Sequence, residues 1–480
     1  MNEPKNFRRR LLGKLLAGYA IAPATIANSI AQSSNKWHVE IANAARQSRE
    51  TGPVQLLIPD GSQANIVAAT ELFTQLSGVR CQISEVPVDE INVEMMLQAS
   101  SEHSSFDVAL PATFGLPDLV EAGTIYPLDE FAERFEPAEF SSGQLYRQGD
   151  FYQGHLYGYQ TDGDAYVLFY NKQMLEDPNE RAAYEQTTGM PLQVASNWQE
   201  LDQMMKFFHR PEQNIFGGCL FRNPGYLAWE WWARLHAKGI LPLADDMRPL
   251  VDTDQGIEAL RELIAATEYQ TPESLTNGLF ENWEDFSQGK AFCNIGWGGT
   301  QKYLMSQAAM RDNLIHTPLP GFDSKSDQTT MGYFNWGWNY TVSSKSARKE
   351  LAYLLALFCV SPVASTLAVR EQAGYFDPFH ESHYSDAEIQ NTYGKSFLSA
   401  HRDSMGQCIP DFYLRGQGKY MDALREQIVL ALQGEISPEA AMKTCAKRWN
   451  HITRRLGIEI QREQWLALKS SYPRSFASAL

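Results

Sequence analysis

The chain has 480 residues, a formal net charge of −16 and a pI near 5.2. This length exceeds what a single hydrophobic core usually organises, so two or three domains are expected. Hydrophobic residues make up 44% and charged residues 20%, which is an ordinary globular balance. The acidic charge argues against nucleic acid or an anionic membrane surface as the main partner, because both need a basic face.

Residues 1–31 have the composition of an export signal. Arg8, Arg9 and Arg10 precede an apolar run at 15–27, and small residues follow at a plausible cleavage point. The Arg-Arg-x-Leu-Leu-x-Lys pattern is similar to a twin-arginine signal, which passes folded proteins, while the basic start also fits a Sec signal. Either route leads out of the cytoplasm, so a periplasmic location is expected.

Six cysteines are scattered along the chain: Cys81, Cys219, Cys293, Cys359, Cys408 and Cys445. They form no Cys-x-x-Cys pattern and have no His pair at ligand spacing, so neither a metal site nor a cofactor is expected. An oxidising compartment would allow one or two disulfides, although several of these positions resemble core thiols.

A β-α-β pattern opens the mature chain. The apolar run at 54–58 predicts a strand that ends in a Pro-Asp-Gly-Ser turn. Residues 66–76 have apolar side chains at helical spacing, and 79–83 alternate as a second strand. A third strand is predicted at 106–110. Strands that alternate with helices favour a mostly parallel sheet.

Ligands of such sheets bind beyond the carboxyl ends of the strands. Asp60 and Gly61 follow the first predicted strand, and Thr113 and Phe114 follow the third. We therefore expect these four residues to face a cleft.

The segment Gly158–Leu175 indicates a passage between two lobes. The turn-prone residues 161–164 run directly into the β-rich residues 166–170, which is typical of a flexible crossing that enters a buried strand. Asp162 and Asp164 either hydrogen-bond a ligand or hold the crossing turn, and both roles fit the sequence.

Two aromatic loops stand out in the rest of the chain. A predicted strand at 291–295 ends in Gly-Trp-Gly-Gly, where glycines free the backbone around Trp297. A second loop carries Trp336 and Trp338 just before a strand at 340–342. Both loops suit the presentation of an aromatic face to a ligand.

Capping signals predict further helices. They begin after Asn197, at Asp254 and at Ser437, where Pro438 occupies the first helical position. The longest apolar run after the signal, Leu351–Val360, predicts a buried helix and is too short for a membrane span of about 18 residues.

Short stretches in a characteristic order extend over nearly the whole mature chain. They are Phe106–Val108 with Leu119–Phe131, His155–Tyr159 through Tyr170–Lys172, Asn197–Leu201, Phe286–Ala291, Leu319–Gly321 and Leu432–Ala441. Together they resemble the extracellular solute-binding proteins of ABC importers, in particular the family of maltose-binding protein and other sugar and polyol receptors.

The resemblance implies an α/β fold of two lobes, each with a mostly parallel sheet flanked by helices. Three crossing segments are expected near Asp162, near Trp338 and at 374–378. The third departs from the Gly-x-Pro-x-Arg pattern of relatives, so no ligand contact is carried over to it. The expected divisions are 1–31 for the signal, 50–162 with 338–376 for lobe 1, 163–337 with 377–460 for lobe 2, and 461–480 for a C-terminal tail.

The resemblance also implies roles for particular residues. It places Asp60 on the acidic turn that contacts sugar and Trp297 at the stacking tryptophan of the second lobe, with Tyr226 and Trp232 at the aromatic start of a helix. The alternatives are a capping aspartate and core aromatics. The complete predicted ligand set is Asp60, Gly61, Thr113, Phe114, Asp162, Asp164, Tyr226, Trp232, Trp297, Gly298, Trp336 and Trp338.

The function implied is a monomeric periplasmic receptor that binds a carbohydrate and delivers it to the permease subunits of an ABC transporter. An acidic, aromatic-lined cleft also suits a polyamine or a quaternary amine through cation–π contacts. A secreted glycosidase would need two carboxylates across a sugar bond, and the sequence has no hydrolase or dinucleotide fingerprint. Gly394-Lys395-Ser396 is similar to the end of a phosphate loop, but Ile389 stands where the first glycine belongs.

Overall fold

A computed structural model describes residues 36–138, 140–321, 330–334, 337–473 and 476. The predicted export signal and Trp336 lie outside these described residues. The chain divides into two compact units. The first unit is Met1–Gly163 with Gly337–Thr392, and the second unit is Asp164–Trp336 with Tyr393–Leu480.

The helices of the described residues are, in order, α1 (Trp37–Gln47), α2 (Gln63–Ser77), α3 (Ile91–Gln98), α4 (Leu116–Glu121), α5 (Asp129–Phe135), α6 (Lys172–Glu176), α7 (Pro178–Thr188), α8 (Trp198–Phe208), α9 (Leu227–Ala237), α10 (Asp254–Thr267), α11 (Leu279–Ser287), α12 (Gly298–Ser306), α13 (Lys349–Cys359), α14 (Pro362–Arg370), α15 (Glu381–Ser385), α16 (Ala387–Tyr393), α17 (Lys395–Gly406), α18 (Gln417–Leu432), α19 (Pro438–Leu456) and α20 (Ile458–Ser470).

The strands are β1 (Val54–Pro59), β2 (Cys81–Val86), β3 (Val108–Ala109), β4 (Phe151–Tyr152), β5 (His155–Leu156), β6 (Gly158–Gln160), β7 (Val167–Asn171), β8 (Phe216–Gly218), β9 (Ala291–Gly296), β10 (Leu314–Thr317), β11 (Leu319–Pro320), β12 (Thr330–Phe334), β13 (Asn339–Val342) and β14 (Cys408–Pro410).

The first unit has a sheet in the order β2-β1-β3-β13-β6, against which α13 packs together with α1 and α2. β1 is parallel to β2 and β3, as the β-α-β pattern predicts. β13 is antiparallel to β3 and to β6. The reason is the chain path: β6 carries the chain out of this unit and β13 brings it back, so these neighbours run in opposite directions.

The second unit has two sheets, β10-β7-β9-β8 and β11-β12-β14. The pairs β8–β9 and β12–β14 are parallel, while β7 is antiparallel to both of its neighbours. α8 lies against β8 and β9, and α18 packs against α9 and α19. The parallel pairs place the carboxyl ends of β9 and β14 at the positions where parallel-sheet ligand sites form.

The predicted strand at 291–295 and the predicted helix after Ser437 are both present in the structure, and the Ser437 side chain accepts a hydrogen bond from the Ala440 backbone N–H. Two features differ from the expectation. The first unit continues to Thr392, past the boundary expected at 376. Much of the expected C-terminal tail is helix α20, which buries Trp465 and Leu468.

No single helix of the described residues is long and apolar enough to cross a membrane. α13 and α14 have the length and apolar composition of a membrane span only when they are taken together, and the two helices are bent by 64° relative to each other. Both helices are largely buried in the first unit, and α13 has the buried character predicted from its apolar run.

All six cysteines are free thiols. Burial raises the pKa of Cys81 to about 12 and raises the pKa of the other five thiols above the ordinary value. The structure therefore contains none of the disulfides that the sequence left open.

A buried carboxylate joins three segments of the first unit. One oxygen of Asp150 accepts hydrogen bonds from the Gln160 backbone N–H (2.6 Å) and from Asn339 Nδ2 (3.1 Å), and the other oxygen accepts from Arg147 Nε (2.8 Å). Burial raises the pKa of Asp150 to about 6, against the opposing effect of Arg147. The carboxylate thus ties the outgoing strand β6 to the returning strand β13.

Asp150→Ala should lower the free energy of unfolding of the first unit by about 3 kcal/mol, because it leaves the buried Gln160 N–H without its acceptor and removes the carboxylate partner of Arg147. Urea unfolding followed by circular dichroism measures the loss. Glu133→Ala, which removes an exposed carboxylate of the same unit, should change the stability by less than about 0.5 kcal/mol. Equal effects of the two substitutions would contradict the role assigned to Asp150.

Candidate functional site

Asp60 and Gly61 follow β1 at its carboxyl end. The Asp60 backbone N–H donates to Val86 O (2.8 Å), and Asp60 Oδ1 accepts from the Val88 backbone N–H (2.7 Å). Gly61 has a φ of 85°, a left-handed conformation that glycine adopts without strain. The sharp turn therefore leaves a half-buried carboxylate at the end of the strand.

The segment around Tyr375 is fixed beside this turn. The Tyr375 hydroxyl donates to Asp60 O (3.2 Å), and the Tyr375 backbone N–H donates to Asn65 Oδ1 (2.9 Å). A Cβ at Gly374 would lie 2.0 Å from the same Asn65 oxygen, so glycine is required there. The Trp338 ring lies 6.3 Å from the Tyr375 ring. The structure thus brings Asp60, Trp338 and the atypical 374–378 segment together.

Thr113 and Asp162 both make hydrogen bonds inside the first unit. Thr113 Oγ1 donates to Asn339 Oδ1 (2.7 Å), and Asp162 Oδ1 accepts from the Asp377 backbone N–H (2.6 Å). Both side chains are buried, while Phe114 is half-buried. The Asp162 carboxylate thus connects the 161–164 turn to the 374–378 segment.

In the second unit, Trp297 stands between the end of β9 and the start of α12. A Cβ at Gly296 would lie 2.4 Å from Thr300 Oγ1, and the Trp297 backbone N–H donates to the same oxygen (3.2 Å). Gly298 begins the helix and is buried. The close contact at residue 296 therefore fixes the direction in which the indole leaves the strand.

Three aromatic rings contact Trp297, and a fourth contacts one of the three. The Tyr166 ring lies 4.9 Å from Trp297 and 5.6 Å from Tyr333. Phe221 stacks on Tyr226 at 4.6 Å, and these two rings lie 6.0 Å and 6.3 Å from Trp297. We call Tyr166, Phe221, Tyr226, Trp297 and Tyr333 the aromatic platform.

Trp232 lies in the core instead. It is fully buried, and its ring contacts Phe412 at 5.3 Å and His236 at 5.1 Å. Six residues beyond Tyr226, it points about 240° around the helix from that position, so the two side chains occupy different faces. Asp164, also in the second unit, is 8% exposed.

A buried ion network supports the start of α9 beside the platform. Glu230 accepts from Arg222 (2.5 Å) and from Arg234 (2.9 Å), and Arg234 also pairs with Asp202 (2.7 Å). Burial alone would raise the pKa of Glu230, but the two guanidinium groups outweigh it and hold that pKa below its ordinary value. Because its charges are compensated, the network anchors the helix that follows Tyr226.

A second buried carboxylate, Asp411, lies directly after β14. Its Oδ1 accepts from the Phe412 backbone N–H (2.6 Å) and from the Tyr333 hydroxyl (3.3 Å). Burial raises the pKa of Asp411 to about 6, although the Phe412 N–H, the Arg425 charge and hydrogen bonds from Trp229 and Tyr333 oppose the rise. The hydroxyl group of one platform residue, Tyr333, therefore donates a hydrogen bond to a buried carboxylate.

The sequence prediction missed Tyr166, Phe221, Tyr333, Tyr375 and Asp411. For Asp411 a signal existed, because Ile-Pro-Asp ends an apolar stretch both at 58–60 and at 409–411. The sequence predicts a strand end before Asp60, and the same tripeptide indicates one before Asp411. The missed aromatic residues lie within strands or loops, where their residue type alone does not separate a ligand contact from core packing.

Taken by itself, neither unit brings three or more His, Cys, Asp or Glu side chains of the described residues close enough to share one metal ion.

No protein-family model and no curated protein sequence matches the chain. Solved structures are similar to it. An ABC-transporter solute-binding protein from Agrobacterium radiobacter K84 in complex with ribitol has a TM-score of 0.70 at 17% identity, covering 84% of this chain and 99% of that one. Maltose-bound MalE3 of T. maritima has a TM-score of 0.70 at 16% identity, covering 83% and 100%.

The chain has the solute-binding-protein fold. A further similar structure, the solute-binding protein of Agrobacterium vitis S4 with bound D-mannitol, has a TM-score of 0.69 at 16% identity and covers 84% of this chain and 99% of that one. The predicted fold class is thereby confirmed.

Gly296→Ala should destabilise the second unit by about 1 to 3 kcal/mol, because the new methyl group collides with Thr300 Oγ1. Urea unfolding monitored by tryptophan fluorescence measures this loss. Gly406→Ala is the matched control, since a Cβ there meets nothing within 4 Å. If the two alanine variants are equally stable, the contact does not fix Trp297.

Proposed function

We propose that this protein is the solute-binding receptor of an ABC importer and that its ligand is a sugar, an oligosaccharide or a polyol. The observation that carries the proposal is the aromatic platform at the carboxyl end of β9 in a chain with the solute-binding-protein fold. The residues assigned to the ligand are Trp297, Tyr226 and Tyr166 in the second unit, and Asp60, Tyr375 and Trp338 in the first.

The chemistry of these residues suits a carbohydrate. A sugar has hydroxyl groups at its edge and an apolar C–H face, so a receptor needs polar groups for the first and aromatic rings for the second. Contact with about 60 Å² of an indole at roughly 25 cal/mol per Å² contributes about 1.5 kcal/mol. Two or three such contacts with several hydrogen bonds could reach the roughly −8 kcal/mol of a micromolar complex after the costs of association.

The cations near the platform also support a neutral ligand. Arg222 and Arg234 form ion pairs with Glu230. The Lys302 ammonium lies 5.1 Å from the Tyr393 ring centre. The acidic groups Asp60 and Asp411 disfavour an anionic ligand by charge repulsion. Among the similar structures, the named ligands are ribitol, D-mannitol and maltose.

In this proposal the protein acts in the periplasm, as a monomer, without chemical conversion of the ligand. A ligand that contacts both units stabilises the closed form, and the permease subunits recognise that form. The acidic and aromatic side chains also suit an amine, so a polyamine or a quaternary amine is the second candidate.

A thermal-shift screen of the signal-free protein tests the proposal. The panel contains ribitol, D-mannitol, tagatose and maltose, with spermidine and choline as cationic probes. At least one neutral compound should raise the melting temperature by a few degrees at about 100 times its Kd, where binding contributes about 2.7 kcal/mol. Trp297→Ala should weaken that binding by about tenfold or more, the equivalent of one lost ring contact.

Phe151→Ala is the control, because it removes an exposed aromatic ring of the first unit. It should leave the affinity unchanged. A response to the amines alone would replace the carbohydrate with the second candidate. Cleavage products from incubation with oligosaccharides would instead identify an enzyme.

A further inference from the structure

We propose that Asp411 is a positioning residue for the ligand site: its carboxylate holds the Tyr333 hydroxyl, and through Tyr333 it fixes Tyr166 and Trp297. The inference rests on the proposed function, in which Trp297 contacts the ligand. It adds that a buried acid behind the aromatic platform makes ligand affinity depend on pH.

The geometry forms a continuous path. Asp411 Oδ1 accepts from the Tyr333 hydroxyl at 3.3 Å, the Tyr333 ring lies 5.6 Å from the Tyr166 ring, and the Tyr166 ring lies 4.9 Å from Trp297. The Tyr166 backbone N–H also donates to Tyr333 O (2.9 Å). Because β12 and β14 are parallel, with Phe334 opposite Pro410, Asp411 emerges at the same end of the sheet as the end of β12.

The groups that face Asp411 come from several elements. Tyr333 belongs to β12, Trp229 to α9 and Arg425 to α18, while Tyr472 follows α20. The Arg425 guanidinium lies over the Trp229 ring at 5.3 Å and pairs with Asp422 at 3.1 Å. Burial raises the pKa of Tyr333 and of Tyr472, so neither of these two phenols ionises between pH 5 and 8.

The sign of the pH effect follows from the burial of Asp411, which raises its pKa to about 6 in the folded protein from 3.8. Its carboxylate is therefore mainly ionised above pH 7 and mainly neutral near pH 5. The ionised form accepts stronger hydrogen bonds than the neutral acid does. We expect the platform to be held more firmly, and the carbohydrate bound more tightly, above pH 7 than at pH 5.

The free energy of unfolding should change with pH in the direction opposite to that of the ligand affinity. A carboxyl group with a raised pKa in the folded state binds more protons there than in the unfolded chain, so its contribution to stability falls as pH rises from about 4 to about 6. Because asparagine does not ionise, Asp411→Asn removes this pH-dependent loss of stability. The melting temperature of Asp411→Asn relative to wild type should therefore increase as pH rises through this range.

The test measures the affinity of wild type and Asp411→Asn for the tightest-binding carbohydrate of the panel by calorimetry at pH 5.0 and 7.5. Asp411→Asn should bind about tenfold more weakly at pH 7.5, and the two proteins should have similar affinity at pH 5.0. Tyr333→Phe, which keeps the ring and loses the donor, should weaken binding at pH 7.5 without a further loss when combined with Asp411→Asn. Asp403→Asn, an exposed aspartate of the second unit, is the control and should behave as wild type.

A ligand-free measurement separates this inference from the proposed function. The fluorescence of Trp297, obtained as the difference between wild type and Trp297→Phe, should titrate near pH 6, and this transition should be absent when Asp411 is replaced by Asn. If no carbohydrate binds but the transition is present, the proposed function fails and the positioning role holds. Equal affinities of wild type and Asp411→Asn at pH 7.5, or a Trp297 signal that does not depend on Asp411, would overturn the inference.

Discussion

The absence of room for a side chain at residue 296 is the constraint on which the candidate site depends. Thr300 Oγ1 occupies the space that a Cβ would need, and it accepts the Trp297 backbone N–H. The local backbone therefore sets the direction in which the indole leaves the strand, and the rings around it hold it in place. Tyr166, Phe221 and Tyr226 pack against this indole. The resulting surface is preorganised, so little side-chain entropy is lost when a ligand binds to it.

Three buried carboxylates show how burial and compensation produce different electrostatic behaviour in one chain. Glu230 contacts two guanidinium groups and has a lowered pKa. Asp150 contacts one guanidinium, whereas Asp411 accepts hydrogen bonds and is influenced by the charge of Arg425; both have pKa values that burial raises to about 6. Raised pKa values in buried acids often accompany functional sites. Asp411 contacts the aromatic platform through the Tyr333 hydroxyl.

The sequence predicted the features that depend on neighbouring residues. The Pro-Asp-Gly turn after β1 and the glycines around Trp297 depend on backbone conformation, so a strand end was predictable before Asp60 and before Trp297, and each residue directly follows a strand. Features that depend on distant residues were not accessible. Tyr333 and Asp411 are 78 residues apart, and the core position of Trp232 depends on which face of α9 meets Phe412.

The ordered resemblance to solute-binding proteins predicted the fold class correctly, although the pairwise identities of the similar structures are only 14–18%. It misplaced the third crossing at 374–378, a segment that lacks the pattern of relatives and that belongs to the first unit, which continues to Thr392. The structure supplies what that pattern could not: Asn65 holds the Gly374–Phe376 backbone, and Tyr375 reaches Asp60 O.

The six unpaired thiols bear on how this polypeptide reaches its native state. A fold without disulfides does not depend on an oxidoreductase to be completed. Burial of five of the six sulfur atoms and their scarce thiolate forms also protect them from oxidation. The six cysteines of the folded chain therefore form no covalent cross-link that a reducing agent could break.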